Sequence, residues 1–160
     1  MKKAFLSYLL ISFILTAFNN VTIDKTAFYE SLSSGEEAVI DKTLAILESE
    51  KSSSQVKAYI GVLTMKKAGF VKGVKSKLNT FKKGEGMLEE EIKNNPSNVE
   101  YRFLRLTIQE HAPGILKYNK QLDEDKQAVT TAYSKLDKTV KTFVADYAKG
   151  SKVLKSSDLK

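Results

Sequence analysis

Between Val99 and Gln109 the apolar side chains fall on two stripes rather than one. At about 100° per residue, Val99, Phe103 and Leu106 share one side of a helix, while Tyr101, Leu104 and Ile108 lie nearly opposite. Asn98, Arg102, Arg105 and Gln109 form a polar strip between them, and Glu100 and Thr107 form the other. Two apolar stripes need two neighbours, so this segment is predicted to be a central helix clasped left and right; a surface helix would bury one face only. Its ends are marked as well. Pro96 forbids continuation of the preceding helix, Ser97 or Asn98 can accept from free amides of the next one, and the helix should start near Val99. His111-Ala112-Pro113-Gly114 stops it, because the residue before a proline avoids the α region.

The rest of the chain carries helical spacing and no period-two alternation, so strands are not expected. A short helix is predicted over residues 24–32, followed by Ser34-Gly35-Glu36-Glu37, which spells a capping box for a helix reaching Ser49 with Ile40, Leu44 and Leu47 on one face. Ser52 and Gln55 mark a second, weaker box. Val56, Tyr59, Ile60, Leu63 and Phe70 continue the period until Gly69 offers a left-handed cap. The next helix carries Val74, Leu78, Phe81, Leu88 and Ile92 up to Pro96, with Gly84 and Gly86 each lowering helix propensity by roughly 1 kcal/mol. Glycine at those positions would admit a close neighbour. After Pro113, Ile115, Leu122, Val129, Leu136 and Phe143 recur every seven residues, with Tyr133, Val140 and Tyr147 alongside them. One helix from about Asn119 to Asp137 and a second to about Lys149 are predicted. That seam suits a bundle contact within one chain better than a dimer zipper, so a monomer is expected. The tail from Gly150 to Lys160 offers only Val153, Leu154 and Leu159 for burial and is expected to be flexible.

The N-terminus reads Met1, Lys2, Lys3 and then a mostly apolar run from Ala4 to Phe18. A basic head before an apolar run shorter than the roughly 20 residues of a membrane span is the pattern of a secretory signal. Residues 1–19 are therefore expected to direct export, to the periplasm of the bacterial cell envelope or beyond, with retention as a short membrane anchor as the alternative. Residues 20–149 then form a single helical domain, long enough for a real core, and 150–160 its tail. The absence of cysteine removes disulfides and thiolate metal sites, and with one histidine a metal centre has no obvious ligand set, so no cofactor is expected.

From Gly84 through Leu88, Glu91 and Pro96 into the segment from Asn98 to Leu106, the pattern resembles the end of one tetratricopeptide repeat (TPR) and the start of the next. Tyr59-Ile60-Gly61 resembles the small-residue step of an earlier first helix, although its distance to Pro96 exceeds the repeat. Asn95-Pro96-Ser97-Asn98, Arg102 to Leu106, and Pro113 to Tyr118 are also similar to uncharacterised exported bacterial helical proteins. The resemblance implies an all-α fold of stacked helix hairpins, TPR-like or an irregular bundle, that binds proteins or peptides.

Arg102 and Arg105 are the only arginines among 26 basic residues and share a face with Gln109. Arginine's planar fork suits bidentate carboxylate pairing. One reading pairs them internally with Asp123, Asp125 or a glutamate among residues 89–91. The other makes Arg102, Arg105 and Gln109 a contact strip for a partner, or Arg102 and Arg105 a small-ligand or anion site. His111 sits at a helix end, where capping explains it. Seven lysines and no acid lie between Lys66 and Lys83, a solvated face or a surface for anionic lipid or an acidic partner. Nucleic acid is not expected, because aromatics are not interleaved with the lysines. No nucleophile, carboxylate pair or metal set stands out, so the expected function is that of an exported non-enzymatic module for protein or peptide interaction.

Overall fold

Four of the seven α-helices among the described residues start at a side-chain oxygen that takes up a free amide. Asp24 accepts from the Ala27 N–H at 3.1 Å, Ser53 from Val56 at 3.2 Å, Asn98 from Tyr101 at 3.2 Å and Asp137 from Val140 at 3.0 Å. In the structure, a computed structural model describing residues 23–159, these caps open α1 (Lys25–Ser34), α3 (Ser54–Lys67), α5 (Val99–Gln109) and α7 (Lys138–Gly150). Between them lie α2 (Glu37–Ser49), α4 (Val74–Asn94) and α6 (Leu122–Ala132), with 3₁₀ turns at Gly114–Leu116, Tyr133–Lys135 and Ser156–Asp158. The described residues contain no strand, and together they make one all-α domain around a continuous core. No helix among them is long and apolar enough to cross a membrane. The N-terminal segment expected to direct export lies outside the described residues.

The central helix is two-sided, as its stripes require. Tyr101, Phe103, Leu104, Leu106 and Ile108 of α5 are all buried. Helix α5 packs against α3, α4 and α6, its Phe103 ring lies beside Tyr29 of α1 and Tyr147 of α7, and α1 in turn touches α7. Each polar strip of α5 is tied down too. The Glu100 carboxylate accepts from the hydroxyls of Tyr29 and Tyr59 and from the Lys25 ammonium at 2.8 Å. Lys25 also reaches Asp137, the cap of α7, at 2.7 Å, so one buried acid fixes α1, α3, α5 and α7 together.

Helices α3 and α4 form the tightest hairpin, and two glycines explain it. A Cβ on Gly61 would lie 2.9 Å from the Gly84 carbonyl oxygen, and one on Gly84 would lie 2.7 Å from the Met65 amide nitrogen. Backbone therefore meets backbone across this seam, a spacing that any side chain at either position would open.

Several local expectations are corrected. Ser34 does not cap α2. It sits inside α1, its hydroxyl donating to the Ser31 carbonyl at 2.9 Å, because Gly35 at φ 69° ends α1 there. Gly69 does not supply the left-handed cap expected of it: α3 ends on Ala68 in the right-handed region, and the positive-φ glycine of this stretch is Gly73, φ 84°, which starts α4. The seven-residue seam after Pro113 holds at Val129 but fails at Ile115, which is 89% exposed, because Lys117 in the left-handed region (φ 51°) ends the 3₁₀ turn before α6. The chain after Pro113 does divide into two helices with Asp137 capping the second, but the first is shorter at both ends than the expected span from Asn119 to Asp137: α6 starts at Leu122 and stops at Ala132, where the 3₁₀ turn Tyr133–Lys135 takes over.

The tail beyond Gly150 is docked rather than loose. Glu110 accepts from the Tyr147 hydroxyl at 2.5 Å, the Ser151 hydroxyl at 2.6 Å and the Lys152 N–H at 2.5 Å. These bonds turn the chain so that Leu154 is fully buried. Burial opposes ionisation of Glu110, but the three hydrogen bonds, helped by the nearby His111, outweigh it and hold the carboxyl below its usual range.

Candidate functional site

Of the arginines expected on a contact strip, Arg105 is buried and Arg102 half-buried, and both are bonded to neighbouring segments. Arg105 donates through Nε and Nη2 to the two oxygens of Asp125 at 2.6 and 2.7 Å, and through Nη1 to Glu89 at 2.8 Å. Asp125 is fully buried and Arg105 nearly so. Arg102 donates to Glu124 at 2.6 Å, to Asp125 at 3.3 Å and to the Pro96 carbonyl at 3.2 Å. Gln109, also buried, donates its amide to Gln121 at 2.9 Å. The Tyr118 hydroxyl completes the cluster by donating to Glu89 at 2.6 Å. Burial pushes the Asp125 carboxyl upward while the guanidiniums pull it down. For Arg105, burial lowers the guanidinium, but its bonds to Asp125 and Glu89 raise it above the usual value. The parallel fork is the geometry of an ionised pair.

This arrangement corrects the assignment of Arg102, Arg105 and Gln109 as a contact strip. Their donors are spent on α4, α6 and the segment before α6, and the reason is positional: α5 is enclosed, so its polar strip has other helices over it. Internal pairing with Asp125 and a glutamate of α4, one of the two readings of the sequence, is what forms.

The surface that stays open lies elsewhere. At the start of α4, Val74, Leu78 and Phe81 stand at spacings of four and three, one face of a helix. Phe81 is buried, but Leu78 is 43% exposed and Val74 86% exposed. Opposite them, the 3₁₀ turn after Pro113 presents Ile115 and Leu116. Between these two lips runs a cleft of about 670 Å³, floored by Met65, Ala68 and Ile108. Of the five large apolar side chains left exposed among the described residues, four (Phe70, Val74, Leu78 and Ile115) line it. Scattered apolar exposure is ordinary, but concentration in one concave place marks an interaction site.

A second cleft of about 450 Å³ is lined by Tyr29, Leu32, Phe103, Phe143 and Tyr147. Lys66, Thr107, Ile108 and His111 belong to both. The His111 ring donates from Nδ1 to the Thr107 carbonyl at 3.0 Å, as a helix-end histidine does, and its ring edge faces Tyr147. Lys66 is half-buried, and burial alone lowers its ammonium below the usual lysine value.

The charge around the clefts is one-sided. Of the seven lysines from Lys66 to Lys83, Lys67 pairs with Asp41 at 2.6 Å, Lys82 with Glu85 at 2.7 Å, and Lys77 donates to the Gly69 carbonyl at 3.1 Å. Lys66, Lys72, Lys75 and Lys83 form no ion pair among the described residues. Among the described residues no carboxylate lines the larger cleft. Asp146 stands at the smaller one but pairs with Lys149 at 2.6 Å. Chemically, the site can take apolar groups in two neighbouring clefts and an anion at Lys66, which lines both. Among the described residues no three acids and histidines gather as they would to hold a metal ion.

Sequence reasoning placed Phe70, Val74, Leu78 and Ile115 in core stripes and so missed the cleft. A usable signal was present for three of them: Phe70, Val74 and Leu78 sit in a stretch whose only charges are lysines, which is poor surroundings for a solvated face and good ones for a ringed apolar surface. Compared with family models, curated proteins and solved structures, the chain matches none.

Proposed function

We propose that the chain is an exported, non-enzymatic module of stacked helix hairpins, TPR-like in manner, that binds a protein or peptide segment in the cell envelope through the cleft between α4 and the 3₁₀ turn after Pro113. One observation carries the reading: Val74 and Ile115, 86% and 89% exposed, flank an apolar concavity that holds four of the five exposed large hydrophobics. Leaving such side chains in water forgoes roughly 1.5–3 kcal/mol each, which a docked segment recovers. The open groove suits an extended or helical segment laid along it, with side chains anchoring at intervals. The alternative, a small-ligand or anion site at Arg102 and Arg105, lacks support from the geometry, since both guanidiniums are already bonded to Glu89, Glu124 and Asp125.

The test is site-specific photo-crosslinking of the full chain in its producing cells. A photoreactive side chain at Ile115 or at Val74 is expected to give the same discrete protein adduct, abolished by Leu78→Asp; one at the exposed Glu48 of α2 is expected to give none. Adducts independent of position, or none at either lip, would remove the cleft as the docking surface.

A further inference from the structure

The two clefts meet at Lys66, and this junction has a chemistry of its own. Lys66 is half-buried between apolar walls, yet among the described residues no carboxylate stands within ion-pairing distance of it. An ammonium held that way gives up part of its hydration without the pairing that normally compensates. Its neighbour Lys67, one residue on, turns away to Asp41. The remaining unpaired lysines, Lys72, Lys75 and Lys83, are exposed and solvated, so Lys66 is the one whose charge a bound carboxylate would complete.

Resting on the peptide-binding reading above, we infer that Lys66 recognises a carboxylate of the bound segment, which is therefore an acidic, apolar peptide with one apolar anchor in each arm of the cleft and an Asp or Glu between them. Three features favour this occupant. Among the described residues no acid lines the larger cleft, and the one at the smaller, Asp146, is paired with Lys149, so the lysines around the site complement an acidic segment and repel a basic one. Lys66 lines both clefts, so a segment anchored in each passes it between its two anchors, and the anion falls in the middle of the occupant and not at its end. A fatty acid carries its charge at one end, so with its carboxylate at Lys66 a single acyl chain can enter only one of the two clefts. His111, at the same junction, has its Nδ1 committed to Thr107 and leaves its other ring nitrogen facing outward from that bond.

The experiment titrates the full chain with a fluorescent helical peptide of roughly 15 residues, long enough to hold a turn structure. It carries two leucines spaced for the two arms and a glutamate between. A matched peptide has glutamine in place of that glutamate, and dodecanoate serves as the single-chain amphiphile. We expect the glutamate peptide to bind about tenfold tighter than the glutamine peptide, and Lys66→Gln to erase that difference. Lys75→Gln removes the same charge from an exposed position and is expected to leave the difference intact. The Lys66 ammonium, followed by NMR, is expected to titrate higher once the glutamate peptide is bound.

If Lys66→Gln and Lys75→Gln act equally, or if the two peptides bind alike, the inference about Lys66 is overturned while the cleft remains a peptide site. If no peptide binds, the cleft reading and this inference fall together. Binding of dodecanoate at Lys66 with rejection of both peptides overturns the peptide in favour of a small amphiphile.

Discussion

Gly84 and Gly86 stand two residues apart on α4, and replacing each by alanine should move stability in opposite directions. At an open helical position Gly→Ala gains about 0.5–1 kcal/mol, because glycine loses more backbone entropy on folding. Gly86 meets that condition, with no atom within 4 Å of the added methyl. At Gly84 the same methyl would sit 2.7 Å from the Met65 nitrogen and 2.8 Å from its Cγ, and closer still to the Gly61 carbonyl oxygen. Two of these atoms are helix backbone and cannot rotate away, so α3 and α4 must separate. Overpacking of this kind costs roughly 1–3 kcal/mol or more, and the opened seam forfeits dispersion contacts as well. After the propensity gain is subtracted, Gly84→Ala is expected to destabilise by about 1–2 kcal/mol or more. For a domain of this size that is a loss of roughly 4–10 °C in Tm, against a gain of about 2–4 °C for Gly86→Ala. Calorimetry or thermal circular dichroism on the two variants measures both. Shifts of the same sign would refute the backbone-to-backbone packing of α3 on α4.

The other expectations rest on the polar anchors. Asp125→Ala strands the nearly buried Arg105 guanidinium and should cost about 3–5 kcal/mol in denaturant unfolding, whereas the double change Arg105→Met with Asp125→Leu should recover most of it. An equal loss in both would show that the pair is not what the site needs. Glu110→Gln should release the C-terminal segment, read as a fall in hydrogen-exchange protection at the Leu154 amide, which donates to Ser151 Oγ at 2.9 Å. The wild-type segment should respond to acid in the same way. The folded Glu110 carboxyl titrates lower than it does unfolded, so its contribution is fully present above the unfolded value of about 4.3 and disappears as pH falls through the folded one. Protection at Leu154 that holds steady below pH 4 while the core stays folded would contradict this.

Those parts of the fold that depend on neighbouring residues were open to sequence reasoning. Pro96, Asn98 and Pro113 set the limits of α5, and its two stripes correctly implied neighbours on both sides. The pairing of the arginines was half visible: Asp125 and a glutamate of α4 were named as partners, but spacing alone could not rank that against an open strip. Only the enclosure of α5 decides it. Ser34 misled because Gly35 could either precede a capping box or end the helix before it, and the second won. The docking of Leu154 depends on Glu110, which accepts from an amide 42 residues away, a contact that no local pattern carries. The cleft was hidden for a related reason. Val74 and Leu78 keep helical spacing whether or not anything covers them, and the absence of a covering element is a property of the assembled helices.

The cleft can be put to one decisive measurement, an amide and side-chain NMR titration of the full chain with the acidic, apolar peptide. Shifts concentrated at Lys66, Phe70, Leu78, His111 and Ile115, with the Arg102 and Arg105 guanidinium signals unmoved, are expected. Shifts gathered instead on Arg102, Arg105 and Gln109, or a saturable complex that leaves the cleft residues untouched, would contradict it.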